Sequence, residues 1–245
     1  TQHHSSAASD VYKRQAEMHL TQFATGVRGT LRVGMECHPC YQWLLRVTEP
    51  YLRSYLDVDI DVIQKFQFGG LDALINHEID VLVTPDPVLK KGLHFEPVFD
   101  YEQVLVVCAN HPLTSQSWVK PQDLKDEVLF SYPVSLERLD IYRSFFTPAG
   151  LAPACHKRVE TTDMILQMVA CGRGVTALPR WLAEGYAESM DLVVLRLGED
   201  GIAKQIHLGL RDESLRCDYI AGFVREAQTS RSALSTCLLY TSDAA

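Results

Sequence analysis

Short runs of β-forming residues alternate with helical periods along most of the chain from Gly29 onward. Leu31–Met35, Val58–Val62 and Ile79–Val83 predict strands, and the segments between them place apolar residues at helical spacing. Three strands joined by two helices need right-handed crossovers, so this pattern predicts a parallel α/β unit. A second series of the same kind follows the apolar run Gln103–Ala109. The sequence therefore predicts an α/β fold with two lobes.

The composition excludes several classes of protein. Of 245 residues, 47% are hydrophobic and 22% are charged, which is typical of a globular protein. No apolar run reaches the roughly 20 residues of a membrane helix, so we expect no membrane span. A net charge of -8 argues against this chain binding a nucleic-acid backbone by itself. Seven cysteines, an odd number, do not suggest a disulfide scaffold and favour a reducing cytoplasm.

The two ends of the chain differ in origin from the rest. Ser5–Gln15 and Cys237–Ala245 can both be written as translations of one short DNA duplex, read in opposite directions. That duplex resembles a transposon-type sequencing adapter, whereas the alternative is a pair of short natural tails. We therefore set residues 1–15 and 237–245 apart from the fold as adapter-like tails and expect a protein truncated upstream.

A C-x-x-C motif, Cys37 to Cys40, lies between a predicted strand and a predicted helix. One alternative is thiol-disulfide oxidoreductase chemistry, because a helix N-terminus lowers the pKa of a thiol. Another is zinc held together with Glu36, although a closed site needs four ligands and no second C-x-x-C follows. The third is that the turn presents backbone N–H groups to an anion while free thiols shape a pocket. We favour the third and expect Cys37 and Cys40 to be free thiols.

No motif for catalysis, cofactor binding or metal binding stands out. The chain has no G-x-x-x-x-G-K-[ST], G-x-S-x-G or H-E-x-x-H pattern, and Gly172–Gly174 lacks the spacing of a dinucleotide loop. We therefore predict that the protein is not an enzyme, with no catalytic residues, no metal and no cofactor.

A series of marks from Gly29 to about Gln228 resembles the effector-binding domain of LysR-type transcriptional regulators. These marks are Gly29–Gly34, Ile79–Val83, His111–Leu113, Leu124, Phe146–Leu151, Met168–Val175, Ala177–Pro179 and Phe223. The resemblance implies a fold like type 2 periplasmic binding proteins, with two Rossmann-like lobes joined by two crossover strands. It assigns residues 29–102 and 204–230 to lobe I and residues 103–203 to lobe II, and it makes residues 16–28 a remnant of a linker helix.

The same resemblance implies partners. In this family promoter DNA is bound by a separate N-terminal domain, which is missing from this chain, so we expect no specific DNA binding by the chain as given. A small effector binds between the lobes. The resemblance also implies a homodimer through this domain and a tetramer in the full-length protein.

Further residues are similar to those of the family members that regulate methionine biosynthesis. They are Glu36–His38, Cys40, Gln42–Leu44, Gly92–His94, Phe99–Glu102, Tyr132–Val134, Arg138–Asp140 and Ile165–Ala170. This likeness implies that the effector is a small amino acid, homocysteine.

By position, the family's effector site falls on turns at the carboxyl ends of strands, where helix N-termini meet. Glu36 or Asp86 is a plausible partner for an ammonium, and Thr161 or Thr162 has the alternative role of capping a helix. The predicted site residues are Glu36, Cys37, His38, Gln67, Phe68, Thr84, Asp86, Tyr132, Pro133, Thr161 and Thr162. The main alternative function is a periplasmic-type small-solute-binding protein, which shares the fold.

Overall fold

The chain folds as two α/β units. The computed structural model describes residues 28–37, 39–63 and 69–239, with side chains described up to residue 230. The units divide after Val98 and before His207, whereas the sequence placed the divisions after residue 102 and before residue 204. The predicted tail 1–15 and, apart from Arg28, the predicted linker remnant lie outside the described residues.

In chain order the regular elements are β1 (Gly29–Met35), α1 (Cys40–Ser54), β2 (Val58–Ile63), α2 (Gly70–Ile75), β3 (Val81–Thr84), β4 (Leu93–Cys108), β5 (Trp118–Val119), β6 (Val128–Ser131), β7 (Cys155–Arg158), α3 (Thr162–Ala170), β8 (Val175–Pro179), α4 (Arg180–Ala187), β9 (Leu192–Leu197), β10 (Ile202–Arg211) and α5 (Asp218–Leu239). The predicted strands Leu31–Met35, Val58–Val62 and Ile79–Val83 correspond to β1, β2 and β3, and the predicted run Gln103–Ala109 lies at the end of the longer strand β4. The divisions between the units fall within β4 and β10.

Unit 1 is built on a sheet with strand order β2-β1-β3-β10. The first three strands are parallel, as predicted, and β10 runs antiparallel to β3 with Leu208 opposite Val83. Helices α1 and α5 pack together through aromatic residues. The Tyr51 hydroxyl donates to the carbonyl oxygen of Tyr219 at 3.0 Å, and the Tyr51 ring meets Phe223 edge to face. Because β1 and β3 are parallel neighbours, their carboxyl ends lie side by side.

Unit 2 has a sheet whose central strand β4 is buried on both faces. Its strand order is β9-β4-β8-β6-β7, with β5 beside β9. Successive residues of β4 enter different cores: Leu105 and Val107 pack with Phe146, whereas Val104 and Val106 pack with Ile165. Because side chains of a strand alternate between the two faces, this near-continuous apolar run is what a strand buried on both faces requires.

Two elements differ from the pattern. The apolar spacing of residues 139–146 favours a helix, whereas the structure has a π-helical turn at Tyr142–Phe146 followed by a 3-10 turn at Thr147–Ala149. The apolar spacing indicates a last helix over Asp218–Ala227, whereas α5 continues to Leu239 and so enters the tail 237–245 that was set apart. Among the described residues, no helix combines the length and the apolar character needed to cross a bilayer.

A buried carboxylate holds the sheet of unit 1 together. Asp80, which is 6% exposed, precedes β3. Its Oδ2 accepts hydrogen bonds from the backbone N–H of Arg32 at 3.1 Å and from Arg32 Nε at 3.0 Å. Its Oδ1 accepts from Arg32 Nη2 at 2.8 Å and from Arg211 Nη2 at 3.1 Å. One carboxylate therefore ties together β1, the start of β3 and the end of β10.

The two guanidinium groups also control the protonation of this carboxylate. Burial by itself raises the pKa of Asp80, but the hydrogen bonds and charge of Arg32, with a further hydrogen bond from Arg211, outweigh burial. The pKa of Asp80 therefore lies below its usual value. Asp80 is thus held in its charged form.

Replacing Asp80 by alanine is expected to destabilise the protein by about 3–5 kcal/mol, because it leaves two guanidinium groups without their shared carboxylate. Asp59 on β2 is exposed, so Asp59→Ala is the matched control and should cost less than about 0.5 kcal/mol. Urea unfolding followed by circular dichroism measures both. Equal losses for the two variants would contradict a structural role for the Asp80 cluster.

Asp80 should also make stability depend on pH in the acid range. Because its pKa is lower in the folded protein, its contribution is fully present above the unfolded value of about 3.9 and is lost as pH falls through the folded pKa. The free energy of unfolding of the wild type should therefore fall more steeply below about pH 4 than that of Asp80→Asn. Denaturant titrations at a series of pH values test this, and parallel slopes would refute it.

Candidate functional site

Glu36 follows β1, and its carboxylate connects three segments of unit 1. The backbone N–H of Glu36 donates to the carbonyl oxygen of Val83 at 3.0 Å, which continues the pairing of β1 with β3. Its Oε1 accepts from the backbone N–H of Gly70 at 3.2 Å, and its Oε2 accepts from the Thr84 hydroxyl at 2.8 Å. The predicted residues Glu36 and Thr84 are therefore in direct contact at the end of the sheet.

Gly70 allows this close approach. A β-carbon at this position would lie 3.0 Å from Glu36 Oε1 and 2.5 Å from Leu82 Cδ1. Contacts this short require neighbouring atoms to move, so a side chain at residue 70 would displace the Glu36 carboxylate. Gly70 was not among the predicted site residues, although a Gly69-Gly70 pair before a helical period is a signal for a close backbone approach.

The Thr84 hydroxyl both donates and accepts. It donates to Glu36 and accepts from the backbone N–H of Asp86 at 3.1 Å. Thr84 is completely buried, whereas Glu36 and Asp86 are half-buried. The hydroxyl therefore fixes the turn after β3 and orients the carboxylate that lies closer to solvent.

Cys37 and Cys40 form a disulfide, so the prediction of free thiols is wrong in this structure. The strand ends at Met35 and α1 begins at Cys40, and the tight turn between them brings the two Cα atoms within 5.4 Å. That separation lies inside the range of about 4.4–6.8 Å that a disulfide spans. Both residues are buried, and the disulfide lies directly beside Glu36 in the chain.

Unit 2 brings together two more of the predicted residues. The Tyr132 hydroxyl, at the end of β6, lies 2.7 Å from the Thr162 hydroxyl at the start of α3. Tyr132 is buried, and burial raises its pKa to about 12, with smaller contributions from neighbouring groups. The phenol is therefore neutral at physiological pH, where it can act as a donor or an acceptor.

The other two predicted residues of unit 2 make no such pair. Pro133 lies in a tight turn in which the N–H of Val134 donates to the carbonyl oxygen of Tyr132 at 2.8 Å. Thr161 precedes α3, and its side chain forms no capping hydrogen bond. The Thr161 side chain therefore does not cap α3, contrary to the alternative role considered for it. His38, Gln67 and Phe68 lie outside the described residues.

Ser131 and His156, which were not among the predicted site residues, form a hydrogen-bonded chain that ends at the carbonyl oxygen of Tyr132. The Ser131 hydroxyl lies 3.0 Å from the carbonyl oxygen of Tyr132 and 2.7 Å from His156 Nε2. Burial and the charge of Arg158 lower the pKa of His156, so its ring is neutral near pH 7. Both contacts are satisfied if His156 Nε2–H donates to Ser131, which donates to the carbonyl. The sequence held no signal for this, because Ser131 and His156 are on different strands.

The polar groups of each unit are chemically suited to binding through hydrogen bonds. In the parts of the chain that the structure describes, no group of three or more His, Cys, Asp or Glu side chains is arranged to hold a metal ion. Unit 1 offers a carboxylate beside a disulfide and a helix start, and unit 2 offers hydroxyl groups. Such groups recognise polar functional groups of a small molecule through hydrogen bonds.

Comparison with known proteins assigns the fold to a family. Residues 24–231 match the LysR substrate binding domain. The chain belongs to this LysR family. Its curated relatives are transcriptional regulators, such as the HTH-type transcriptional regulator MetR of Escherichia coli strain K12, which is 37% identical over 198 residues. The match covers 81% of this chain and 62% of the relative, so the chain spans about three-fifths of the length of that regulator.

Solved structures agree with the LysR assignment. The regulatory domain of MetR from N. meningitidis, a LysR family regulator, superimposes with a TM-score of 0.77 at 29% identity and covers 84% of this chain and 94% of that chain. A variant of that domain, with two of its cysteines replaced by serine, gives a TM-score of 0.76 at 27% identity, covering 84% and 95% of the two chains. The predicted periplasmic-binding-protein-like fold of a LysR domain is confirmed.

The disulfide predicts a distinct pattern of thiol labelling. We expect Cys155 and Cys171, which are exposed free cysteines, to react with iodoacetamide in the native protein, whereas Cys37 and Cys40 react only after reduction and unfolding. Peptide mass spectrometry of the purified chain gives the answer for each cysteine. Labelling of Cys37 or Cys40 in unfolded protein without reductant would show that the disulfide is absent.

Proposed function

We propose that this chain is the effector-binding domain of a LysR-type regulator of methionine biosynthesis and that its effector is homocysteine. The observation that carries the proposal is the match of residues 24–231 to the LysR substrate binding domain together with 37% identity to the MetR regulator of Escherichia coli. The polar groups at the ends of β1 and β3 supply the chemistry.

The ammonium of an amino acid is assigned to Glu36. A carboxylate can accept about four hydrogen bonds, so a donor from a ligand can be added to those from Gly70 and Thr84. Both contacts hold the carboxylate in one orientation before the ligand arrives. This preorganisation lowers the entropy cost of binding.

The carboxylate of the amino acid is assigned to the start of α1. This helix of 15 residues begins after Pro39, and no side-chain capping hydrogen bond is made at its start within the described residues. The N–H of Cys40 donates to the carbonyl oxygen of Cys37 at 3.2 Å, which leaves the later N–H groups of the first turn to be considered. The backbone N–H groups of its first turn lack partners within the helix and carry the positive end of its dipole. They are therefore suited to an anionic group close to Glu36.

The thiol group of homocysteine accounts for a preference for this ligand over methionine, whose sulfur carries a methyl group. A methyl group on sulfur adds bulk and removes the S–H donor. A hydrogen bond left unmade in a buried site costs about 1–3 kcal/mol, which corresponds to roughly ten- to a hundredfold in affinity. Homocysteine should therefore bind more tightly than methionine.

The remaining parts of the proposal concern the whole protein. We infer that the regulator acts in the cytoplasm, that this domain forms a homodimer, and that the full-length protein is a tetramer. Promoter DNA is assigned to a DNA-binding domain that is not part of the matched segment 24–231. None of these roles requires catalysis.

Homocysteine should raise the melting temperature of the purified chain more than methionine or cysteine does. At a hundred times Kd the ligand adds about 2.7 kcal/mol of stability. The assay uses a phosphine reductant in one arm and none in the other, because a thiol ligand can itself exchange with the Cys37–Cys40 disulfide. Equal shifts with homocysteine and methionine, or no shift with either, would overturn the homocysteine assignment.

Two variants separate recognition of the ammonium from support of the turn. Glu36→Gln removes the charge and should weaken binding by about tenfold or more. Thr84→Val breaks the hydrogen bond between the same two side chains but keeps the carboxylate, so it should weaken binding less. Calorimetry measures both, and an equal loss in the two variants would show that Glu36 acts only on the turn.

A further inference from the structure

A cavity in unit 1 lies away from the residues of the proposed effector site. It has a volume of about 480 Å³, within the usual range for small-molecule sites. Its walls come from the end of α2, the loop before β4, the end of β10 and the 3-10 turn that follows. They are formed by Ile75, Lys90, Lys91, Gly92, Leu93, Arg211, Asp212, Glu213 and Arg216.

One wall is a buried guanidinium group that lacks a full set of acceptors. Arg211 is only 9% exposed. Its Nη1 donates to the carbonyl oxygens of Leu74 and Ile79, both at 2.7 Å, and its Nη2 donates to Asp80. Its Nε is buried and has no acceptor among the described residues. A buried donor without an acceptor costs free energy of folding, which makes the Arg211 guanidinium group an unusual wall for a cavity.

The charge of Arg211 is also only partly neutralised. Asp80 is its carboxylate partner, and that single negative charge is shared with Arg32. The cluster of two guanidinium groups and one carboxylate therefore carries a net charge of about +1, and Arg211 is its buried cation, whereas the Arg32 side chain is partly exposed. An anion in the cavity beside Arg211 would balance this excess.

The rim of the cavity adds more positive charge. Lys90, Lys91 and Arg216 are exposed, and within the described part of the chain none of their side chains forms an ion pair. With Arg211 they make four cationic groups against the two carboxylates of Asp212 and Glu213. The side chains that line the cavity therefore sum to +2, or to +1 once Asp80, the carboxylate partner of Arg211, is counted, in a chain whose net charge is -8.

The rim is held in place by the backbone. The N–H of Asp212 donates to the carbonyl oxygen of Gly92 at 3.1 Å, and the N–H of Leu93 donates to that of Lys90 at 3.2 Å. Gly92 has a φ of 86°, which favours glycine and lets the loop turn sharply beside β10. The lysines and the arginines are therefore kept around one opening.

We propose that this cavity binds a phosphate group, either as free phosphate or as part of a small phosphorylated metabolite. A phosphate anion can balance the positive charge around the cavity, and its oxygens suit the charge-assisted hydrogen bonds that lysine and arginine donate. The site is distinct from the residues proposed to hold the amino-acid effector. It gives the domain a second input.

Calorimetry of the whole chain with inorganic phosphate tests the site, with sodium chloride replacing phosphate at constant ionic strength as the reference. The triple variant Lys90→Ala, Lys91→Ala, Arg216→Ala should bind phosphate at least about tenfold more weakly than the wild type. Lys157→Ala is the matched control, because Lys157 is exposed on β7 in unit 2 and should leave binding unchanged. Arg211 is left intact so that the buried cluster is preserved.

A parallel titration with glucose 6-phosphate distinguishes the two sources of phosphate. Tighter binding of the ester than of inorganic phosphate, lost in the triple variant, supports the proposal and assigns the site to phosphorylated metabolites. Equal or weaker binding of the ester, with the same loss, supports it and assigns the site to free phosphate. No binding of either probe beyond the sodium chloride reference, or equal binding by the wild type and the triple variant, overturns it.

Discussion

The carboxylate of Asp80, held between Arg32 and Arg211, is the interaction on which the rest of unit 1 depends. It crosslinks β1, the start of β3 and the end of β10 through hydrogen bonds of 2.8–3.1 Å. The N–H of Asp80 also donates to the carbonyl oxygen of Arg32 at 2.8 Å, so backbone and side chain impose the same alignment. That alignment sets Met35 opposite Val83 and thereby places Glu36 within reach of Thr84.

The polar groups at the end of this sheet are mutually oriented. Glu36 accepts from Gly70 and Thr84, and Thr84 in turn accepts from the backbone of Asp86. The neighbouring disulfide between Cys37 and Cys40 limits the turn that leads into α1. A rigid turn, an oriented carboxylate and an uncapped helix start are the features that a site for a small zwitterion needs, since preorganisation reduces the cost of binding.

Unit 1 thus carries opposite charges in two places. The end of β1 presents the carboxylate of Glu36, whereas the cavity beside Arg211 is positive. The two are linked through one cluster, because Arg211 lines the cavity and its partner Asp80 sets the alignment of β1 with β3.

The sequence by itself determined the α/β class and the alternation of strands and helices in unit 1, because these follow from hydrophobic period and chain order. It also marked Glu36, Thr84, Tyr132 and Thr162 through a family resemblance. Only the tertiary structure decided which of them touch, since Glu36 meets Thr84 and Tyr132 meets Thr162 across long sequence separations.

The same reason explains what the sequence did not determine. The close approach of Gly70 to Glu36 and the contact of Ser131 with His156 depend on strand register. The Cys37–Cys40 disulfide depends on the distance across one turn, and a C-x-x-C pattern is equally compatible with free thiols. The cationic cavity draws residues from four segments, so its charge exists only once Lys90, Arg211 and Arg216 are brought together by folding.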